Sequence, residues 1–519
     1  MSSILTNTSA MVALQTLKGI NKGMSDIQNQ ISTGKQVESA KDNAAVWAIS
    51  KVMESDVKGF EGISDSLALG ESTVAVGRNA AESITDLLTE MKGKIVAAQE
   101  ENVDRGKIQT DIDQLTNQIK SVVGAAQFNG LNLVQGTDDV KVLASLDRSS
   151  DGSVTASDIT VARQDLTTSA GVVGSTALTG GLTAADFGTI TDGTGASATT
   201  TAAATGQTAQ LQFAGTAADG NVYSVQVAGH TLSYTADVTG GDDDDAIRDA
   251  IMGQINALGL DGVSAAAGSN TGELVISNTN AFEGIDVAVT APSSGGTLVI
   301  EELNGNTGLT DTSGSIGQRA ESLDFSTTAG VAEGDSYVVT VGSNSFSYVA
   351  GKGETMEDVA KGLKAAVDGN LPSGIRTSVS QDETTGQWSL SVDDDTGGQA
   401  FSLSVTTGGE ASGGLFGLDN IDVTTDDGVD AALDNIETLI QNSIDAAANF
   451  GSSQSRIEIQ SDFISKLTDS LKSGIGTMVD ADMEAASARL QALQVQQQLG
   501  TQALSIANQA PQNLLSLFR

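Results

Sequence analysis

The residues able to do chemistry are few and scattered. The chain has one histidine, His230, and no cysteine. That excludes thiol nucleophiles, Cys-based zinc sites and a Ser-His triad with a histidine to spare. His230 reads as a solvated turn residue. The densest carboxylate runs are Asp242–Asp245 and Asp393–Asp395. The first could ligate calcium. It stands just before a helical pattern, however, where acids cap free N–H groups and meet the positive end of the helix dipole, and capping is the expectation. The second reads as a hairpin loop. Trp47 and Trp388 are isolated and default to core roles. HExxH, P-loop and GxGxxG patterns are absent. No catalytic, cofactor-binding or metal site is expected, because no acid, base and nucleophile can be named together.

Charge narrows the partners. The 519 residues hold 26 Lys+Arg against 66 Asp+Glu, a net charge of −40. Such a surface repels a phosphate backbone, so no nucleic acid is expected. No apolar run reaches about 18 residues, so no membrane is expected. The start, MSSILTNTSAMVALQTLKGINKGMSD, lacks the basic and small-residue flanks of an ordinary signal peptide. Without cysteine, stability must come from packing.

The acid is concentrated in the middle. Residues 137–430 hold 41 Asp+Glu and 9 Lys+Arg, in a Gly-, Thr- and Ser-rich stretch of short alternating strands. Both ends carry long helical periodicity. Ala10, Leu17, Met24 and Ile31 are spaced by seven, as are Ala13, Ile20 and Ile27. After a break at ISTGKQVESAKDN, Val46, Met53, Phe60, Leu67, Val74, Ala81, Leu88 and Ile95 continue the spacing, with Ile63, Gly70, Gly77, Ile84, Met91 and Ala98 on the partner position. A third helix through Ile108, Ile112, Leu115 and Ile119 stops at Phe128-Asn129-Gly130. Near the far end, Ile457, Ile464, Leu471, Met478, Ala485, Ala492, Leu499 and Ile506 form one row, and Leu467, Ala481, Ala488 and Val495 the other. Sustained a/d spacing predicts coiled-coil packing. The expected fold class is α+β: a discontinuous coiled-coil rod built from both termini, with a central insertion of β-rich, α+β domains.

Two features refine this. From Leu490 to Phe518 there is no charged residue, and none in the first 17. A solvated helix puts charge on its outer face, so these tips suit burial by other subunits. They are expected to be disordered in the monomer and to fold on assembly. The middle also contains a duplication. GNVYSVQVAGHTLSYTA (220–236) matches GDSYVVTVGSNSFSYVA (334–350), and Ile247, Ile251 and Ile255 match Val359, Leu363 and Val367. With GELVISNTNAFEGIDVAV and GQWSLSVDDDTGGQAFSLSV each read as a closing hairpin, each copy is expected to be ββαββ.

Three stretches carry a resemblance: ISTGKQVESAKDNAAVWAIS (31–50), QFNGLNLV (127–134) and NQAPQNLLSLFR (508–519). Together they resemble bacterial flagellin over roughly 1–165 and 426–519, and the paired central units resemble a repeat of some flagellin outer domains. The resemblance implies a secreted subunit polymerising into an extracellular flagellar filament for motility. Implied partners are sister subunits, the type III export apparatus and a chaperone, and the filament cap and junction proteins. It implies inner-tube helices at 1–35 and 480–519, a spoke or linker at 36–47, and helical-rod segments at 48–175 (with a β-hairpin after 130) and 426–479. Outer domains would lie at 176–330 and 331–425.

By the match, inner-tube contacts fall to Leu5, Leu14, Leu17, Ile20, Leu490, Leu493, Leu499, Leu504, Leu514, Leu515, Leu517, Phe518 and Arg519. Rod packing falls to Met53, Phe60, Leu67, Leu88, Ile95, Ile464 and Leu471. The sequence departs from the family at LLTEMKGKIVAAQ (87–99), where Glu90 stands near an arginine that an animal Toll-like receptor reads in many relatives. Weak or no recognition by that receptor is therefore expected. Two readings stay open beside a filament subunit: a hook–filament junction protein of the same superfamily, and a surface adhesin using the acidic repeats.

Overall fold

A computed structural model describes residues 7–149, 153–191, 207–369, 374–394 and 398–517, with side chains as far as 509. The fold is α+β. Helices α1 (Thr8–Thr33), α2 (Ala44–Ala98) and α3 (Arg105–Ala125) come first. Short strands β1 (Gln127–Phe128) and β2 (Leu131–Asn132) follow, then β3 (Val140–Arg148) and β4 (Val154–Val161). The central insertion contains β5 (Gly188–Thr191), β6 (Gln207–Gly215), β7 (Val222–Val227), β8 (His230–Thr235), α4 (Asp244–Ala257), β9 (Val263–Ala267), β10 (Glu273–Asn278), β11 (Ile285–Thr290), β12 (Gly296–Leu303), β13 (Asn306–Asp311) and β14 (Ser313–Ile316). It continues with β15 (Glu321–Phe325), β16 (Ser336–Val341), β17 (Asn344–Val349), α5 (Met356–Asp368), β18 (Ile375–Gln381), β19 (Trp388–Asp394) and β20 (Phe401–Thr406). Helices α6 (Asp426–Val479) and α7 (Met483–Leu517) end the chain.

The chain divides into two compact units. One holds Met1–Ser72, Lys141–Val161 and Ser452–Arg519; the other holds Thr73–Val140 and Ala162–Gly451.

In the first unit, Asn7 caps α1 by accepting from Ala10 N at 3.0 Å. The helix stops at Gly34, whose φ of 70° suits glycine. The chain then pairs with the break between α6 and α7: Gln36 N donates to Val479 O at 2.7 Å and Ala481 N to Gly34 O at 2.9 Å. Two helix breaks far apart in sequence are thus stapled together. The β3–β4 ribbon packs on α2, where Gly70 admits Val142: a Cβ on Gly70 would lie 2.6 Å from Val142 Cγ1. At 55 residues, α2 is about 80 Å long.

In the second unit, α2 continues against α6 and α3. Its heptad positions Val74, Ala81, Ile84, Leu88, Met91 and Ile95 are all buried. Ser443 on α6 donates to Ala81 O at 3.0 Å and accepts from Thr85 Oγ1 at 2.9 Å, which satisfies polar groups inside the seam.

The insertion repeats one topology. In the first copy the strands order as β6-β10-β9 and β11-β7-β8; in the second, as β15-β19-β18 and β20-β16-β17. Each copy buries a helix face on a tyrosine: Ile247, Ile251 and Ile255 with Tyr223 in one core, and Val359, Leu363 and Val367 with Tyr337 in the other. The expected ββαββ unit is corrected. β10 and β11 are not a hairpin, because β10 pairs with β6 and β9 whereas β11 pairs with β7 and β14. Alternation marks a strand but not its partner. The unit is ββαβββ, preceded by one strand.

The hairpin-loop reading of Asp393–Asp395 is also corrected. Asp393 and Asp394 lie in β19 and are fully buried; Asp395 falls outside the described residues. His230 is the exposed first residue of β8, after a turn at Ala228 and Gly229 with positive φ at both. Trp47 is half-buried in α2 rather than in a core. Trp388 is half-buried against the second core, with Lys361 Nζ 5.4 Å from its ring centroid.

Candidate functional site

Among the described residues, the acidic runs assemble no cluster that could hold a metal ion. Asp243 caps α4 through Ala246 N at 2.9 Å, Asp242 accepts from Tyr234 Oη at 2.8 Å, and Asp245 from Gly272 N at 2.7 Å. The helix-capping reading accounts for Asp243, while Asp242 and Asp245 tie the start of α4 to neighbouring loops.

The terminal helices are different. Within the first unit α1 and α7 run antiparallel: Asn7 Nδ2 donates to Ala507 O at 2.9 Å, and Gln497 Nε2 to Asn21 Oδ1 at 2.7 Å. Glycines let the helices approach. A Cβ on Gly500 would lie 3.2 Å from Leu17 Cδ1, and one on Gly23 would lie 3.7 Å from Leu493 Cδ1. On α1 the expected row does face the partner, with Ala10, Ala13, Leu17, Ile20 and Met24 half-buried and Ile27 buried.

On α7 the expected row does not. Its covered positions are Ala486, Leu490, Leu493, Gln497, Gly500, Leu504 and Ala507, while Ala485, Ala488, Ala492, Val495, Leu499 and Ile506 are exposed. The heptad reading ran straight through a break. Non-helical Asp480–Asp482 resets the phase, and Asp482 caps the new helix by accepting from Glu484 N at 3.0 Å. The seven-residue step becomes eight between Met478 and Ala486. With 3.6 residues per turn, the covered row and the exposed row lie on opposite sides of α7. Val495, Leu499 and Ile506 are 55%, 59% and 69% exposed, and on α1 Met11 and Leu14 are 66% and 57% exposed.

The proposed contact residues therefore divide. Leu17, Ile20, Leu490, Leu493 and Leu504 sit on the in-chain seam, and Leu14 and Leu499 point away from it. Leu5, Phe518 and Arg519 lie outside the described residues, as do the side chains of Leu514, Leu515 and Leu517. Of the rod residues, Leu67, Leu88, Ile95 and Ile464 are buried, and Met53, Phe60 and Leu471 are half-buried.

Sequence reasoning also missed a cleft of about 470 Å³ in the second unit, bordered by Arg163, Tyr348, Glu354, Lys361 and Asn442. Burial pushes the Glu354 carboxyl up to about 7. Burial, with the charge of Glu354 beside it, holds the Tyr348 phenol well above its ordinary value.

The family model described as the bacterial flagellin N-terminal helical region matches residues 4–139, and that described as the C-terminal helical region matches residues 433–518. Flagellin A of Rhizobium meliloti (strain 1021) is 33% identical over 528 residues, covering 100% of both chains. Another Rhizobium meliloti Flagellin A is 32% identical over 525 residues with the same coverage. This similarity extends through the central region, beyond the termini that the sequence motifs cover. Among solved structures, FliC from Burkholderia pseudomallei is 13% identical, covers 75% of this chain and 99% of that chain, and has a TM-score of 0.27.

Proposed function

We propose, from the premise that this chain belongs to the bacterial flagellin family and is a structural subunit of the flagellar filament, that α7 is the two-sided element of its assembly. One side packs on α1 of the same molecule, and the other, carrying Val495, Leu499 and Ile506, packs on sister subunits. The observation behind this is the pair of opposed apolar rows with no charged residue from Leu490 to Phe518. An apolar row left in water is a contact waiting for a partner. Repeated head-to-tail contacts that do not close on themselves generate a helix of subunits.

Under this reading Leu14 and Leu499 belong to contacts between subunits. Leu17, Ile20, Leu490, Leu493 and Leu504 hold the terminal pair, and Leu5, Leu514, Leu515, Leu517, Phe518 and Arg519 extend it. Met53, Phe60, Leu67, Leu88, Ile95, Ile464 and Leu471 hold the rod. The acidic insertion faces outward. Delivery is through the flagellar export apparatus with its chaperone, and the ends of the polymer meet cap and junction proteins. Exposed Glu90 makes stimulation of a Toll-like receptor weak, and no catalytic role is assigned.

The test is seeded polymerisation of full-length protein carrying Val495→Glu and Leu499→Glu. Growth on filament fragments is expected to stop while circular dichroism of the monomer is unchanged. Growth at the wild-type rate overturns the assignment.

A further inference from the structure

Lys364 is a lysine inside the protein, 4% exposed. Such burial requires a partner, and here the partner is shared. Asp368 Oδ2 accepts from Lys364 Nζ at 2.8 Å and from Asn435 Nδ2 at 2.9 Å. Lys364 Nζ in turn lies 3.3 Å from Asn435 Oδ1. One carboxylate therefore touches both an amine and a carboxamide nitrogen, with the amine beside the carboxamide oxygen. Thr377 Oγ1 holds the other carboxylate oxygen. Leu363, Val367 and Ile375 belong to the buried second core beside it, and a second carboxylate, the exposed Asp434 on α6, lies 3.6 Å from Lys364 Nζ.

The duplication shows that the fold does not need this group. At the helix offset of 112 residues, Lys364 corresponds to Met252 and Asp368 to Asn256. Met252 packs against the first core. Asn256 bonds Ala265, at the place where Asp368 bonds Thr377. The same packing problem is solved without an ion pair in the sister copy.

We infer that Lys364 and Asn435 form an intramolecular amide bond, with Asp368 as its proton carrier. Lys364 Nζ, having given a proton to Asp368, attacks Asn435 Cγ. The C–Nδ2 bond then breaks, and the leaving nitrogen takes the proton back from Asp368 together with the second proton shed by Nζ. A C–N bond forms and a C–N bond breaks. One ammonium ion leaves, carrying off the lysine charge, and Asp368 ends as it began. No oxidant or other reactant is consumed. The catalysis is the proximity of the buried Lys364–Asp368 pair to Asn435, at the edge of the cleft. The reaction needs the folded state, because the two residues are 71 apart in sequence. The product ties the second repeat covalently to α6.

The experiment is peptide-level mass spectrometry of folded, full-length protein, beside Lys364→Met and Asp368→Asn, the residues that the first copy uses. In wild type, a branched peptide joining the Lys364 and Asn435 segments is expected, lighter by one ammonia than its two parts. Both variants, folded by circular dichroism, should release the two peptides separately. Separate, full-mass peptides from folded wild type overturn the inference, as does a branched peptide that persists in Lys364→Met.

Discussion

Tyr348 donates its phenolic hydrogen to Glu354 Oε2 at 2.9 Å, joining β17 to the loop that leads into α5. The carboxyl sits at about 7, against an ordinary value of 4.5. Between those values the folded protein holds a proton that the unfolded chain has lost, so stability falls as pH rises through this window. The contribution is fully present below about 4.5 and gone above about 7. Its ceiling is about 3 kcal/mol, less where solvent reaches the rim. Denaturant unfolding at pH 5 and pH 8.5 should show wild type losing stability between the two relative to Glu354→Gln. Equal slopes for both proteins would remove Glu354 from the account.

Arg319 binds Asp393 with two hydrogen bonds, Nε to Oδ1 at 2.7 Å and Nη2 to Oδ2 at 2.5 Å. Arg376 adds a third at 3.1 Å. Asp393 is fully buried, and Arg319 precedes β15 at the junction of the two repeats. Removing one partner of a buried pair strands the other charge. Asp393→Asn should therefore cost about 3–5 kcal/mol. Arg376→Ala, at a side chain 44% exposed, should cost less than about 1 kcal/mol. Chemical denaturation of both variants checks the ranking, and a reversed order would contradict it.

Glycines in α2 separate by what they face. Gly70→Ala pushes a methyl into Val142, whose branched side chain yields little, and should cost about 1–3 kcal/mol. Gly93 is exposed and meets nothing within 4 Å, so Gly93→Ala should stabilise by up to about 1 kcal/mol. Thermal melts of the two variants should move in opposite directions.

Much of the helical frame was legible. The a/d rows predicted for α2 are the buried rows from Ile63 to Ala98, because heptad spacing states directly which face is covered. The duplication was legible too, since Tyr223 and Tyr337 hold the same place in matching sheets. The misses share one cause. Local pattern reports periodicity, not partners or phase across a break. The row through Leu499 was extended past Asp480–Asp482 and came out facing solvent. β10 and β11 looked like neighbours and entered different sheets. Asp393 looked like a loop acid because its counter-ions, Arg319 and Arg376, lie 74 and 17 residues away. Lys364 carried a faint signal, one step from Leu363 on the apolar side of α5, yet nothing local to it pointed to Asn435.

The same phase argument bears on the monomer. Among the described residues of the α1–α7 pair, only Ile27 and Ala486 are buried, whereas α2 between Ile63 and Ile95 is lined by fully buried ones. A seam of half-covered side chains offsets little of the entropy of ordering two helices. In free monomers, amides of residues 8–24 and 487–507 should therefore exchange within seconds while those of 63–95 stay protected. In filaments both sets should be protected, because under the proposed assembly sister subunits cover Leu14, Val495, Leu499 and Ile506. Hydrogen exchange read by mass spectrometry before and after seeding distinguishes the states. Terminal helices protected in the monomer as strongly as α2 would mean that the in-chain seam is sufficient, and that assembly joins helices already formed.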